Sequence, residues 1–167
     1  MSPVSVEAIK ALRDKTSASI DECRKALTAA GGDEKKAIAI LRQRGAELAA
    51  KRSGRAAVEG RVETYLHHDG KLAVVVEVNC ETDFVARTPQ FVQFCRDVAM
   101  QVAAMNPQQV GDAAAGANGE GSLLAQPFVK DASQTVGDLL KALVATTGEN
   151  VVIRRFARFG LGESVGG

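Results

Sequence analysis

The feature that most constrains the fold is an apolar, β-branched run at residues 72–78 that follows an Asp69-Gly70 pair. Such a run is typical of a largely buried strand, because β-branched side chains pack well on a pleated surface. Residues 58–67 alternate apolar and polar side chains, and Asp-Gly between two strand-like runs is a strong hairpin signal. The sequence therefore predicts a two-stranded antiparallel core on which the rest of the chain must pack.

Two amphipathic helices and a third strand complete the predicted core. Thr88 followed by Pro89 begins one helix, and Thr135 with Asp138 three positions later begins another. Apolar residues between 151 and 159 predict the third strand, and a slip in their period indicates a bulge or a bend. We therefore expect an α+β fold, in which a small antiparallel sheet of about three strands is packed with helices.

The amino-terminal part of the chain predicts a separate unit of three short helices. Ser5 caps the first helix, and Ser19 with Glu22 fits a capping box for the second. Asp33 caps the third helix, which Gly45 is expected to end. Helices of this length are unstable alone, so the three must pack together around their apolar faces.

Composition marks the segments that connect these units. Residues 111–121 are small and glycine-rich, without an apolar period, which is typical of a flexible segment. Lys51, Arg52 and Arg55 form a basic cluster, and because no aromatic residues interleave with it, a solvated linker is favoured over RNA contact. The predicted division of the chain is a three-helix unit at 1–50, a basic linker at 51–57, the core at 58–160 and a disordered tail at 161–167.

The charge balance and the lack of export signals restrict the possible partners. With 21 basic and 20 acidic residues the net charge is +1, so no overall field draws the chain to nucleic acid or to a membrane. No stretch is long and apolar enough to span a bilayer, and the amino terminus lacks the pattern of a signal peptide. We therefore expect a cytoplasmic protein whose partner is another protein.

The sequence offers no arrangement for catalysis or metal binding. Cys23, Cys80 and Cys95 are widely spaced, and we interpret Cys80 as a small buried apolar residue. His67 and His68 precede the Asp-Gly pair, so they are expected to lie at the hairpin turn. The sequence places no nucleophile beside a base and contains no phosphate-binding loop. We expect a protein that is not an enzyme and has no cofactor and no bound metal.

The best candidate for a functional site follows directly on the apolar run. Asn79 and Asp83 indicate that the chain leaves the sheet into a turn, and Phe84 then lies on a short loop among polar neighbours. A large ring on a rigidly anchored connection is typical of a side chain presented to another molecule. The alternative is that the ring folds back over the core, and the residues alone leave both interpretations open.

A second candidate surface lies in the helical unit. Lys10 and Arg13 are three positions apart and therefore share a helix face. Ile20 begins the next helix, at the corner where the two helices meet. From the residues alone, the alternatives are a solvated basic face and an isoleucine in the core.

Five motifs, in matching order along the chain, resemble the elongation factor Ts family. The string NCETDFVAR at residues 79–87 closely resembles the signature of that family. With the surrounding sequence, the resemblance extends over residues 5–110 and 123–160, which is nearly the whole chain. The other motifs resemble the amino-terminal module and the carboxy-terminal part of the family, and they lie at residues 10–13, 23–27, 126–129 and 148–156.

The resemblance implies a factor that binds elongation factor Tu and promotes the release of its GDP. It also implies that the three-helix unit resembles the ubiquitin-associated fold. In the family, the segment that matches Thr82, Asp83, Phe84 and Val85 is implicated in displacing Mg²⁺ from elongation factor Tu. The phenylalanine of that segment inserts between helices of the partner.

Three further expectations come from the same resemblance. Family residues that match Lys10, Arg13 and Ile20 contact the nucleotide domain of elongation factor Tu, but Asp21 stands where the family commonly has an apolar residue. The chain resembles the short form of the family, in which two identical chains associate, so we expect a homodimer. The alternative functions are a non-catalytic helical adaptor and an RNA-binding accessory module.

Overall fold

The computed structural model describes residues 4–111 and 121–164. Within these ranges, helices pack on a three-stranded antiparallel sheet, so the predicted α+β class is confirmed. No helix in this part of the chain is long and apolar enough to cross a membrane. The regular elements are α1 (Val6–Thr16), α2 (Ile20–Ala29), α3 (Glu34–Arg52), β1 (Glu59–Leu66), β2 (Leu72–Cys80), α4 (Asp83–Ala86), α5 (Pro89–Met105), a 3₁₀ turn (Leu123–Ala125), β3 (Pro127–Phe128), β4 (Asp131–Thr135), α6 (Val136–Thr147) and β5 (Val152–Gly160).

The main sheet has the strand order β1–β2–β5, and each neighbouring pair is antiparallel. The predicted hairpin between β1 and β2 is confirmed, with His67 and His68 at its turn. The bulge predicted in the third strand is confirmed as well. Along β2 the pairing partner changes from Arg155 directly to Ile153, which leaves Arg154 as the extra residue.

The two faces of this sheet have different environments. Because side chains alternate along a strand, Val74, Val76 and Val78 all point to one face, where they are buried with residues of α5. The opposite face, which we call the outer face, carries apolar side chains that are 41–68% exposed. These exposed residues are Val62, Leu66, Val75 and Phe159.

Each helix of the three-helix unit begins at the cap that the sequence predicts. The Ser5 hydroxyl accepts a hydrogen bond from Ala8 N at 3.1 Å, and Ser19 with Glu22 forms the predicted capping box. The Asp33 carboxylate caps α3 by accepting from Lys36 N. The helices enclose a small core of their own, whose fully buried residues are Leu12, Cys23, Ala26, Leu27 and Ala37.

The prediction that Gly45 ends the third helix is wrong, because α3 continues to Arg52. Gly45 is buried inside the helix, where its α-carbon faces Lys141 and Ala145 of α6. Further along, Ala49 packs against the core around the sheet. Contact with α6 outweighs the low helix propensity of glycine, about 1 kcal/mol relative to alanine. One helix therefore joins the three-helix unit to the core, and it crosses the division predicted at residue 50.

A small hairpin, β3 and β4, and the 3₁₀ turn before it were not predicted from the sequence. The buried amide of Gln101 holds this hairpin on α5. Its Nε2 donates to Pro127 O at 3.1 Å, and its Oε1 accepts from Val129 N at 2.9 Å. The two strands are too short to show an alternating pattern, so periodicity could not reveal them.

Two predicted segments lie partly outside the described residues. Of the glycine-rich segment at 111–121, the structure describes only the glycines at its two ends. Of the predicted tail, it describes residues 161–164. Leu161 N donates to Lys71 O at 2.8 Å, and Glu163 pairs with Arg158, so the first residues of that segment are bonded to the core.

Candidate functional site

The candidate site is the turn between β2 and α5. The chain leaves β2 at Cys80 and forms the short helix α4, where the sequence predicted a loop. Phe84 is 79% exposed on this helix, whereas Ala86 beside it is buried in the core. The interpretation that the ring folds back over the core is therefore wrong. The turn buries one side and presents a phenylalanine from the other.

Local hydrogen bonds shape this turn. The Thr82 hydroxyl accepts from Val85 N at 3.4 Å and thereby caps α4. The Thr88 hydroxyl donates to Val85 O at 2.8 Å, which joins α4 to the start of α5. Asp83 and Arg87 form an exposed ion pair of 3.1 Å, which contributes little to stability in water.

A second turn, between α6 and β5, contacts the first one from the other side. One carboxylate oxygen of Glu149 accepts from Glu81 N at 3.1 Å and from Thr82 N at 3.0 Å. Its other oxygen accepts from the Thr82 hydroxyl at 2.6 Å. In return, the Glu81 carboxylate accepts from Asn150 N at 2.7 Å. Neither Glu149 nor Asn150 is predicted as a site residue from the sequence, because no local pattern joins positions so far apart.

The Cys80 side chain is buried beneath the turn. Its Sγ–H donates to Thr82 O at 3.1 Å. Burial, followed by the nearby Glu149 carboxylate, raises the pKa of Cys80 to about 11, so the thiol is protonated at neutral pH. Burial also raises the pKa of Cys95 to about 12. The interpretation of Cys80 as a buried apolar residue is confirmed, and this thiol is a poor nucleophile.

The second candidate surface lies at the corner between α1 and α2. Lys10 and Arg13 are exposed on α1, and Ile20, the first residue of α2, is 59% exposed. The alternative of a core isoleucine is therefore wrong. Hydrogen bonds from Lys25 and then Arg24 lower the pKa of Asp21. This carboxylate is therefore ionised and paired within its own helix.

The structure groups the candidate residues into two separate sets. Val85 and Ala86, the two residues after Phe84, belong to the core around the sheet. Leu12 and Cys23, which lie beneath the corner with Ile20, belong to the core of the three-helix unit. Within residues 4–111 and 121–164, no three histidine, cysteine or acidic side chains are grouped so that they could hold a metal ion.

Comparison with known proteins decides the family. A family model described as "Elongation factor TS" matches residues 4–117, which include both candidate sets. The chain belongs to the elongation factor Ts family. Its similarity to individual members extends beyond the region of the family model.

Three relatives named elongation factor Ts illustrate this similarity. The protein of Solidesulfovibrio magneticus is 43% identical over 198 aligned positions, with 98% of this chain and 99% of the relative covered. That of Rubrobacter xylanophilus is 42% identical, with 93% and 98% covered. That of Caldanaerobacter subterraneus is 41% identical, with 97% and 98% covered. The first alignment has 198 positions, 31 more than the 167 residues of this chain. At least 31 of its positions are therefore gaps in this chain.

Proposed function

We propose that the chain is a guanine nucleotide exchange factor, which binds elongation factor Tu in its GDP-bound form and promotes GDP release. Membership of the elongation factor Ts family supports the partner and the activity. The observation that carries the proposal is the 79% exposed ring of Phe84 on a turn that is hydrogen-bonded to the turn between α6 and β5. The protein acts by binding, with no covalent bond made or broken, so it is not an enzyme in the chemical sense.

The mechanism follows from linkage between two binding equilibria. A GTPase holds its nucleotide through backbone amides of the phosphate loop and through Mg²⁺ that bridges protein and phosphate oxygens. A factor that binds the nucleotide-free partner more tightly than the loaded one must weaken nucleotide binding by the same factor. A coupling free energy of about 5.5 kcal/mol would shift a two-state population from roughly 1:99 to 99:1. If the turn that carries the contacting side chain is already rigid, less binding free energy is lost to ordering it. More of that free energy then contributes to the coupling.

The residues of the turn have distinct roles in this proposal. Phe84 is the wedge that inserts between helices of elongation factor Tu, and its insertion displaces Mg²⁺ from the partner. Asp83 lies next to the ring, where its ion pair with Arg87 fixes the polar edge of the wedge. Thr82 and Val85 hold the helix that carries the ring.

The three-helix unit supplies the second contact with elongation factor Tu in this proposal. Ile20 is the apolar centre of that contact, because it is exposed at a corner fixed by a capping box. Lys10 and Arg13 lie nearby in the chain on exposed positions of α1 and add positive charge. Charged residues at the rim of an interface mainly accelerate association.

The activity is tested by stopped-flow measurement of the release of fluorescently labelled GDP from elongation factor Tu. We expect the release rate to rise with the concentration of the chain and to approach a maximum. Excess Mg²⁺ should oppose the effect, because the ion and the wedge compete. A release rate that is independent of the chain would overturn the proposal.

We also propose that the chain works as a homodimer that associates through the outer face of its sheet. Val62, Leu66, Val75 and Phe159 form an exposed apolar group there, and such a surface on a sheet is typical of an interaction site. Glu77 on the same face is ion-paired, and the Arg155 hydrogen bond, the largest cause, lowers its pKa. The charges of this face are therefore already paired when two copies meet.

Light scattering at micromolar concentration tests the dimer. We expect a mass near twice the 17.5 kDa of one chain. Val62→Glu should give a folded monomer, because it places a charge in the interface without disturbing the buried core. Val6→Glu, a change at a similarly exposed valine of α1, is the matched control and should stay dimeric. A wild-type monomer that exchanges at the full rate would contradict the proposal.

The alternative functions, a helical adaptor or an RNA-binding module, are not favoured. The family match includes two strands of the sheet, β1 and β2, and the turn that carries Phe84, which neither alternative requires. We place the proposed activity in the cytoplasm, because its proposed partner acts in translation. Binding measurements with RNA in place of elongation factor Tu are the direct check, and we expect only weak, salt-sensitive binding.

A further inference from the structure

We propose that Glu149 is a positioning residue for the exchange activity, which holds the turn that presents Phe84. This inference rests on the proposed function and assigns a role to a side chain that does not itself contact the partner. Glu149 lies 65 positions after Phe84 in the sequence, and the two are brought together by the antiparallel pairing of β2 with β5.

The carboxylate of Glu149 directs all three of its hydrogen bonds at one turn. Its Oε2 accepts from the backbone N–H groups of Glu81 and Thr82, and its Oε1 accepts from the Thr82 hydroxyl at 2.6 Å. Hydrogen bonds to an ionised acceptor are about twice as strong as neutral ones. The backbone just before the wedge is therefore fixed at two successive residues.

The Thr82 hydroxyl extends this restraint to the helix that carries the ring. While it donates to Glu149, the same oxygen accepts from Val85 N at 3.4 Å. The hydroxyl has a single hydrogen, so donation to Glu149 orients its lone pairs towards the amide of α4. Phe84 lies between the two residues that this bond joins, which ties the direction of the ring to Glu149.

The turn between α6 and β5 makes further hydrogen bonds, to Glu81 and to the segment before β1. Asn150 N donates to the Glu81 carboxylate at 2.7 Å, and Asn150 Nδ2 donates to Arg55 O at 2.7 Å. Gly148 ends α6 in the left-handed region, with φ at 72°, and the residue after it, Glu149, contacts Glu81 and Thr82. Glu149 is therefore itself held in place and acts as a fixed acceptor.

The test compares Glu149→Ala with Glu149→Gln in the labelled-GDP assay. In Glu149→Ala the three donors lose their acceptor, and we expect the maximal release rate to fall about tenfold. The concentration of factor that gives half of that rate should change less than threefold, because the three-helix unit still binds. Glu149→Gln should restore most of the rate, since its amide oxygen can accept from both N–H groups and its amide nitrogen can donate to Thr82.

A double variant separates positioning of the wedge from a general structural role. If Glu149 acts through Phe84, then Glu149→Ala should lower the rate by less than twofold when Phe84→Ala is already present. Equal losses in both backgrounds would overturn the inference, and so would a wild-type rate in the folded Glu149→Ala variant.

If Glu149→Ala does not fold, Thr82→Val takes its place, with Thr82→Ser as the control. A wild-type rate for Thr82→Val would also overturn the inference. If the wild-type chain does not accelerate release, the proposed function fails first and this inference fails with it.

Discussion

The turn that carries Phe84 and the corner that carries Ile20 present their apolar side chains similarly but are held differently. Both side chains are well exposed, at 79% and 59%. The corner is fixed mainly by bonds within its own helices, since the capping box joins Ser19 to Glu22 only three positions away. One long-range bond reaches it, from the Thr146 hydroxyl of α6 to Ser17 O at 3.3 Å. The turn is fixed by Glu149, which lies 67 positions after Thr82.

The two proposed contacts therefore depend on the fold to different degrees. A capped helix start forms wherever the helix forms, so the corner depends mainly on its small core. The turn needs the sheet, α6 and the start of β5 to be assembled before the Glu149 carboxylate comes within hydrogen-bonding distance of it. Changes in the core should therefore affect the wedge, whereas changes in the three-helix unit should leave it in place.

The largest expected effect comes from opening the small core of the three-helix unit. Leu12→Ala removes a fully buried side chain, and we expect the free energy of unfolding of this unit to fall by about 2–5 kcal/mol. Amide hydrogen exchange should show lost protection in α1 and α2, while the amides of Glu81 and Thr82 stay protected. Val6→Ala, at an exposed position of the same helix, is the control. Loss of protection in both regions together would break the comparison.

The next effect concerns the wedge itself. Phe84→Ala should raise the barrier to catalysed GDP release by about 2 kcal/mol, roughly 30-fold in rate, as truncation of a central contact residue does. Its free energy of unfolding should change by less than about 0.5 kcal/mol, because the ring is exposed. Stopped-flow rates and denaturant unfolding measure the two quantities.

Phe91→Ala provides the matched control for that variant. Phe91 is fully buried, so its truncation should lower the free energy of unfolding by about 3–5 kcal/mol. A comparable loss of stability in Phe84→Ala would show that the ring supports the fold and would contradict the role of wedge.

A smaller effect is expected at the corner. Ile20→Ala should weaken binding to elongation factor Tu by about 1 kcal/mol, roughly fivefold, without a loss of stability. Because the corner and the turn are held independently, the effects of Ile20→Ala and Phe84→Ala on binding should add. Calorimetry on the two single variants and the double variant measures this. Strong non-additivity would show that the two contacts are coupled.

The smallest effect is expected where the two regions are joined. Gly45→Ala should raise the free energy of unfolding by up to about 1 kcal/mol, because alanine is the better helix former. An added Cβ would lie 3.5 Å from Lys141 O and 3.7 Å from the Ala145 Cβ, which are ordinary contacts. Thermal and denaturant unfolding measure the change.

Gly60→Ala is the contrasting control for Gly45→Ala. The φ angle of Gly60 is 145°, and an added Cβ would lie 2.1 Å from Val78 O, so the strand must shift. Overpacking of this kind costs about 1–3 kcal/mol. A loss of stability in Gly45→Ala would show that α3 and α6 pack too closely for a side chain.

Much of the fold was predictable because its signals are local. The capping boxes at Ser19 and Thr135 and the hairpin before β2 each depend on a few adjacent residues. Even the bulge at Arg154 left a slip in the apolar period of its own strand. The predicted end of the third helix at Gly45 was wrong because glycine is common just after the end of a helix. No residue near Gly45 in the sequence indicates that α6 packs against it.

The α+β class, the helix starts and the segment in which the candidate site lies can all be predicted from the sequence. The outward direction of the Phe84 ring and the hydrogen bonds of Glu149 to the turn beneath it are seen only in the folded chain. The physical reason is the range of the interactions. Caps and turns join residues within four positions, so a sequence displays them. The acceptor for the Thr82 hydroxyl is 67 positions away, and it comes within 2.6 Å only when β5 pairs with β2.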